Sequence, residues 1–340
     1  MVIKQVVSAD ISKDSFSVCI GTINQSQDTK ILGTKSSFTN SLSGFKQLLE
    51  WVSKKKMDEL PCWFVMEATG VYYENLAFFL KEKGYQVSVL LPNKARNFAK
   101  SLNLKSKTDD IDAKALCLMG LQTSLQEWNI ASLGIRNLKQ LCREYFSLQK
   151  KLTRTKNQIH ALEHSATPLR STLKRLKQQV KMMEKQQQDI EEEIAELVKN
   201  DAVMNKKVGN ICTIKGIKLL TAAFIIAETN GFAVVENTKQ LASYAGLDVV
   251  QNQSGKFVGK THISKKGNKF ILYALYMPAL SNARPGMPYY PFYKNIKEEK
   301  KKSGMVAIVA ISRKLLILIY TLWKNDTIFN PEYSVKSKAA

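Results

Sequence analysis

The stretch IKQVVSADISKDSFSVCI, residues 3–20, decides how the N-terminal part folds. Ile3–Ala9 is strand-like, and an acid, Asp10, closes it; Phe16–Ile20 then alternates apolar and polar positions. Working outward, Lys30–Phe38 reads as a third strand after the polar turn around Asn24–Asp28. Ser41–Lys55 has helical spacing through Leu42, Phe45, Leu48, Leu49 and Val52. Cys62–Met66 is an apolar run of strand length. A helix is expected at about Tyr72–Lys83, ended by Gly84, and a strand at Gln86–Leu91, stopped by Pro92.

This β-β-β-α-β-α-β order is that of a ribonuclease H-type sheet, although periodicity alone does not separate it from other α/β orders. Downstream the pattern changes. Leu138, Leu141, Tyr145, Leu148, Leu152, Thr155, Ile159 and Leu162 follow steps of three and four. After a break at His164–Pro168 the steps resume from Leu169 to Leu197, so a coiled coil is expected. Folding back as a hairpin and pairing with a second chain both fit; pairing between chains is favoured, because a narrow hairpin would leave one seam poorly buried. The remainder reads as mainly helical. The domain reading is therefore an α/β catalytic domain at 1–132, a coiled coil at 133–200, an all-α domain at 201–333 and a tail at 334–340.

With 340 residues, 44% hydrophobic and 24% charged, the chain has globular rather than disordered composition. Its net charge of +22 points to a polyanionic partner, with nucleic acid first. The excess is uneven: +3 over residues 1–130, +6 over 131–200 and +13 over 201–340. The N-terminal stretch meets Asp10 before any apolar run develops, so no secretory signal is expected. The apolar stretch Met305–Trp323 is split by Arg313 and Lys314, which argues against a membrane span. Five scattered cysteines without a CxxC fit reduced thiols. His160 and His164 have an i, i+4 spacing but no third ligand near them, so they are read as a helix surface.

Four acids stand out. Asp10 ends the first strand; Glu67 follows the apolar run Trp63–Met66; Asp109 and Asp112 lie three apart in TDDIDAKAL, on one helix face behind an N-cap at Thr108. Together they make the oxygen-rich cluster that hard divalent ions require, and phosphodiester cleavage uses such a cluster. Asp110 has the wrong helical phase and is expected to be solvated. The turn IKGIK, residues 214–218, ahead of Leu219–Glu228 resembles a helix-hairpin-helix turn, in which backbone N–H groups meet a phosphate; a helix C-cap explains Gly216 as well. Lys215, Lys218, Lys256, Lys260, Ser264, Lys265, Lys266 and Lys269 are the candidate nucleic-acid contacts, with Ser264 a phosphate-contacting or capping hydroxyl.

The segments ADISKD (9–14), MEATG (66–70), KTDDIDAKAL (107–116), IKGIKLLTAAFIIAE (214–228), LASYAGL (241–247), NQSGK (252–256) and ISKKGN (263–268) resemble the DEDD-type insertion-sequence transposases, a group that includes the Piv-type invertases. The resemblance runs over most of the chain in the right order. It implies a RuvC-like N-terminal domain whose catalytic and metal-binding set is Asp10, Glu67, Asp109 and Asp112, with Mg²⁺ or Mn²⁺ as cofactor. It implies a C-terminal transposase domain whose serine becomes joined to DNA, a role that falls by motif on Ser254, with Ser243 and Ser264 nearby. On the residues alone, Ser254–Gly255 fits a tight exposed turn bringing Oγ to a phosphate, but a Gly-containing polar hairpin loop is the favoured reading. The implied partners are donor and target DNA, a structured bridge RNA, and further copies of the chain as a dimer or tetramer. The implied setting is the bacterial cytoplasm, at the nucleoid. Two other functions fit parts of the sequence: a metal-dependent endonuclease or Holliday-junction resolvase using the carboxylates alone, and a non-catalytic nucleic-acid-binding scaffold.

Overall fold

The computed structural model describes residues 1–330 except Asp58, Glu59, Thr69, Leu104, Lys105, Lys107, Lys256, Lys260 and Lys265. The chain divides into two compact units, Met1–Asn129 and Ile130–Ala340.

In the first unit β1 (Val2–Ile11), β2 (Ser15–Asn24) and β3 (Thr29–Thr39) form an antiparallel meander. The helix α1 (Leu42–Ser53) follows, with Ser41 as its N-cap. Next come β4 (Cys62–Glu67), α2 (Glu74–Glu82) and β5 (Gln86–Leu90). β4 pairs parallel with β1 and β5 parallel with β4, giving the order β3-β2-β1-β4-β5. This is the ribonuclease H/RuvC-like sheet that the sequence predicts. Residues on one face, among them Val7, Ala9, Val18, Phe64 and Met66, pack on Phe45 and Leu48 of α1 and Leu76 and Leu80 of α2.

Two further helices complete the unit. Pro92 does end the fifth strand, but its fixed φ also opens a helix that the sequence reading omits, α3 (Pro92–Ser101). α4 (Asp109–Gln122) covers the second sheet face, where Val6, Cys19, Ile23 and Val65 meet Ala113, Cys117 and Leu121. The period-two alternation along β1 and β4 sorts their side chains between the two faces.

The second unit is mainly helical. α5 (Leu133–Glu163) and α6 (Arg170–Asn200) run antiparallel, tied by Gln187 Nε2 donating to Gln149 Oε1 at 2.9 Å. Ion pairs Lys156–Glu184 at 2.7 Å and Lys177–Glu163 at 2.6 Å continue the same register toward the tip. The helices thus close as a hairpin within one chain, and Leu148, Leu152, Leu176 and Met183 are all buried. The poorly buried seam expected of a narrow hairpin is confined to the tip, where Ile159, Leu162 and Leu173 are half-buried.

α7 (Ala202–Cys212) leads through the Gly216 turn into α8 (Leu219–Thr229), whose residues from Ala222 to Ala227 are all buried. α9 (Thr238–Tyr244) follows. Four two-residue strands come next: β6 (Val249–Val250), β7 (Gln253–Ser254), β8 (Phe257–Val258) and β9 (His262–Ile263). α10 (Lys269–Asn282), α11 (Tyr290–Lys294) and α12 (Gly304–Asn325) end the described chain. Among the described residues α12 is one helix long and apolar enough to cross a membrane; here Ile308, Ile311, Leu315 and Ile319 are buried in the helical core. α8 lies at the middle of that core, with α5, α7 and α10 packed on it.

Candidate active site

Asp10 and Glu67 reach one edge of the sheet by register. Ala9 of β1 pairs with Met66 of β4, so the next residue on each parallel strand is one of the two acids. Both follow, two residues on, a side chain that faces α4. Ser8 Oγ donates to the Ala113 carbonyl at 2.6 Å, and Val65 belongs to the α4-facing core. Strand alternation therefore turns both half-buried carboxylates toward the α4 side.

α4 supplies the other two. It runs antiparallel to β1, with Ala113 against Ser8 and the Gly120 and Thr123 carbonyls accepting from Lys4 Nζ at 2.5 and 2.7 Å. Its first turn consequently lies at the level of Asp10, at the carboxyl ends of the parallel strands, where ligand sites of open α/β sheets gather. Thr108 caps that turn as expected, its hydroxyl accepting from the Ile111 N–H at 3.3 Å. Asp109 is exposed and Asp112 half-buried. A positive helix terminus favours this concentration of acids.

Among the described residues no three His, Cys, Asp or Glu side chains are spaced to hold a metal ion. The four acids share an edge and a face without forming a closed ligand cage. As a donor set they are four hard carboxylates, which suits Mg²⁺ or Mn²⁺ and would not suit a soft metal. Asp110 differs from the expectation. It is half-buried rather than solvated, and its Oδ1 accepts from the Ser36 hydroxyl of β3 at 2.8 Å. Its helical phase turns it toward β3, away from Asp109 and Asp112.

In the second unit, residues 248–264 form a double hairpin between α9 and α10. β6 pairs with β9, and within it β7 pairs with β8, Ser254 opposite Phe257. Gly259 N–H donates to the Asn252 carbonyl at 2.8 Å and closes the inner hairpin. Ser254 is exposed beside Gly255, whose φ is +56° and whose missing Cβ would have met nothing within 4 Å among the described residues. Ser264 behaves differently: its hydroxyl donates to the Asp248 carboxylate and its N–H to the Asp248 carbonyl at 3.0 Å, fastening the base of the outer hairpin.

That base is anchored by a residue that the sequence reading passes over. Glu228 of α8 is 1% exposed and accepts from Arg143 Nε at 2.7 Å, Arg143 Nη2 at 3.0 Å and Asn268 Nδ2 at 2.7 Å. Its backbone carbonyl accepts from the Tyr244 hydroxyl at 2.9 Å. Asn268 in turn caps α10, its Oδ1 accepting from the Phe270 and Ile271 N–H groups. Glu228 thus joins α5, α8 and both flanks of the hairpin segment, one flank through its carboxylate and the other through its backbone carbonyl. Burial and then this charge push the Cys142 thiol above its ordinary range. Gly267 tightens the same root: a Cβ there would lie 2.0 Å from the Gly246 nitrogen, so only glycine permits the approach. The acid at the end of IIAE was the available signal for Glu228, but an i, i+4 partner is absent and Arg143 is 85 residues away.

Among the described residues the candidate nucleic-acid contacts do not form one patch. Lys215 and Lys218 are exposed at the turn before α8. That turn is seated on the C-terminal end of α10, where Asn282 Nδ2 donates to the Lys215 carbonyl at 2.8 Å. Lys266 and Lys269 are exposed at the opposite end of α10, roughly 20 Å away at 1.5 Å per residue. Gly216, at φ +87°, is where Asn282 packs, its Nδ2 2.8 Å from the position a Cβ would take. Lys256, Lys260 and Lys265 lie outside the described residues.

Two family profiles match in order along the chain: a DEDD transposase profile over residues 7–168 and a transposase profile of the IS116/IS110/IS902 family over residues 208–293. The chain belongs to the IS110/IS116/IS902 transposase family. It is an enzyme that cleaves and rejoins DNA. The pilin gene-inverting proteins of Moraxella lacunata and Moraxella bovis are each 26% identical to it over 329 residues, covering 96% of this chain and 98% of theirs. Among solved structures, the RuvC of Thermus thermophilus aligns with 36% of this transposase at 11% identity and a TM-score of 0.29.

Proposed function

We propose that this transposase is a serine recombinase of an insertion sequence, in which Ser254 becomes joined to DNA and Asp10, Glu67, Asp109 and Asp112 serve the same strand-transfer reaction. The observation that carries the reading is the contrast between the serines. Ser254 is exposed on a tight hairpin, and among the described residues nothing crowds the adjoining glycine, whereas the Ser264 hydroxyl is spent on Asp248. A small, exposed turn is what a bulky phosphodiester needs for close approach.

In the proposed step Oγ of Ser254 attacks phosphorus and forms a P–O bond as the bond to one deoxyribose oxygen breaks. The serine proton passes to a base or water, and the departing oxygen takes up a proton as a free hydroxyl. Rejoining reverses the exchange with another strand's hydroxyl. The four carboxylates would hold Mg²⁺ or Mn²⁺, which supplies Lewis-acid stabilisation of charge on the phosphoryl oxygens. The acids themselves orient that charge at the sheet edge. The inversion named for the Moraxella relatives is also a strand exchange, in keeping with this reading.

The reading includes three partners. Donor and target DNA bind through the sequence-blind positive charge, a structured guide RNA selects them by base pairing, and further copies of the chain complete a dimer or tetramer. The placements Lys215, Lys218, Lys266 and Lys269, all exposed, fit phosphate contacts of that kind.

The test is trapping. Wild-type protein incubated with divalent metal, guide RNA and labelled element-end DNA should leave a protein–DNA adduct that survives denaturation, with the label mapped to the peptide containing Ser254. Ser254→Ala should give no adduct, while Ser243→Ala and Ser264→Ala should still form one. Free 3′-hydroxyl and 5′-phosphate ends without an adduct would instead establish water-driven cleavage by the carboxylates alone.

A further inference from the structure

Within the α5–α6 hairpin, charge is sorted along its length. Residues 150–185, which make up its distal part, contain ten Lys or Arg and two acids, and both acids, Glu163 and Glu184, are already engaged with lysines across the hairpin. The rest of α6 reverses sign, with Asp189, Glu191, Glu192, Glu193 and Glu196 against Lys199.

The cations of α6 are also aligned. Arg170, Lys174, Lys177, Lys181 and Lys185 recur at steps of four, three, four and four, so they form one stripe on the helix. The seam residues Leu176, Met183 and Gln187, all buried, and the half-buried Val180 occupy another face of the helix, and all five cations are exposed. Arg170, Lys174, Lys177 and Lys181 border one shallow groove with Leu173 and Gln178. The stripe is about 22 Å long at 1.5 Å per residue.

An ordinary solvated coiled-coil face mixes signs, because like charges three and four apart repel and weaken the helix. Here four such pairs follow one another; Glu163 of the facing helix pairs with Lys177, Glu184, three residues after Lys181, pairs with Lys156 of the facing helix, and Asp189 lies four residues after Lys185. The arrangement destabilises the isolated hairpin and is relieved by a regular polyanion laid along it. A DNA duplex presents a charge every 3.4 Å or so on each strand, and for a DNA-cleaving enzyme it extends beyond any recognition site. We infer that the distal half of the α5–α6 hairpin is a DNA-clamping arm, with Arg170, Lys174, Lys177, Lys181 and Lys185 contacting the phosphates of duplex DNA irrespective of sequence. This assignment rests on the chain acting on DNA, not on which residue is the nucleophile.

The experiment measures binding of full-length protein to a random-sequence 30-base-pair DNA duplex in EDTA, so that no cleavage intrudes, across about 50–200 mM salt. In the variant carrying Lys174→Gln, Lys177→Gln, Lys181→Gln and Lys185→Gln, the log–log salt slope should become shallower by about 0.9 for each phosphate that is no longer neutralised, roughly two to four in all. Its melting temperature should equal or exceed that of wild type, since the repulsion is removed. A variant with Lys30→Gln, Lys46→Gln, Lys54→Gln and Lys83→Gln removes the same charge from the exposed surface of the first unit and should keep the wild-type slope. An unchanged slope in the stripe variant, an equal change in the control variant, or a weakening seen with an RNA stem but not with DNA would each overturn the assignment.

Discussion

Asp110 and its neighbours show how finely one turn of helix divides labour. Asp109 and Asp112 lie on the edge of α4 that the sheet leaves open, whereas Asp110 turns to β3 and accepts from Ser36. Asp109→Asn or Asp112→Asn, like Asp10→Asn or Glu67→Gln, should abolish strand cleavage while DNA retention in a gel-shift assay stays near wild type. Asp110→Asn should cleave at close to the wild-type rate and cost at most about 1 kcal/mol in stability, the worth of one neutral hydrogen bond. Glu228 sits at the other extreme of burial. Three charge-assisted or amide donors compensate its desolvation, so removing it would strand Arg143 and Asn268. Glu228→Ala is expected to lower unfolding free energy in urea by about 2–4 kcal/mol, somewhat below a fully buried pair because Arg143 is half-exposed. In the same variant the 248–264 segment should be cut faster by trypsin.

Elements in this chain follow their local signals closely, and their partners less so. Ser41, Thr108 and Asn268 each begin a helix by accepting backbone N–H groups, the property for which such residues are favoured at N-caps. The heptad pattern of α5 and α6 is equally plain, yet a stripe of leucines states only that something apolar must cover it. Here each helix covers the other. Leu148→Asp together with Leu176→Asp should therefore unfold the hairpin itself, at about 2–3 kcal/mol per buried site. The signature is loss of helical circular dichroism at 222 nm over residues 133–200 before any change in the sheet. If these seams hold chains together instead, sedimentation will show dissociation with helicity retained.

Over the whole molecule, the division falls after Asn129, and the hairpin belongs to the same compact unit as the helices that follow it. The two units have separate cores: a sheet sandwiched by helices in the first, and a helical assembly around α8 in the second. Residues 1–129 produced alone should therefore unfold cooperatively in urea, with a midpoint within about 1 M of the sheet transition of the full chain. Limited proteolysis of the full chain should cut first in the segment 123–132, as read by mass spectrometry. The positive charge follows a different partition from the cores. It is densest in the second unit, where the acids of the proposed metal site are absent.

The sequence by itself determined the succession of strands and helices through β5 and the helix start at Thr108, because each depends on neighbours within about a dozen positions: alternation, capping and helical phase are local properties. The mixed sheet followed from the strands and their connections. Only the tertiary structure decided that α5 and α6 cover each other, that Glu228 anchors the root of the Ser254 hairpin, and that the basic turn at Lys215–Lys218 lies far from Lys266 and Lys269. Each of these joins residues separated by tens of positions, and neither a period nor a spacing in one sequence records which distant apolar face or buried charge will be its partner. A buried carboxylate is stable only where the folded chain brings donors to it, and that is decided when the helices pack.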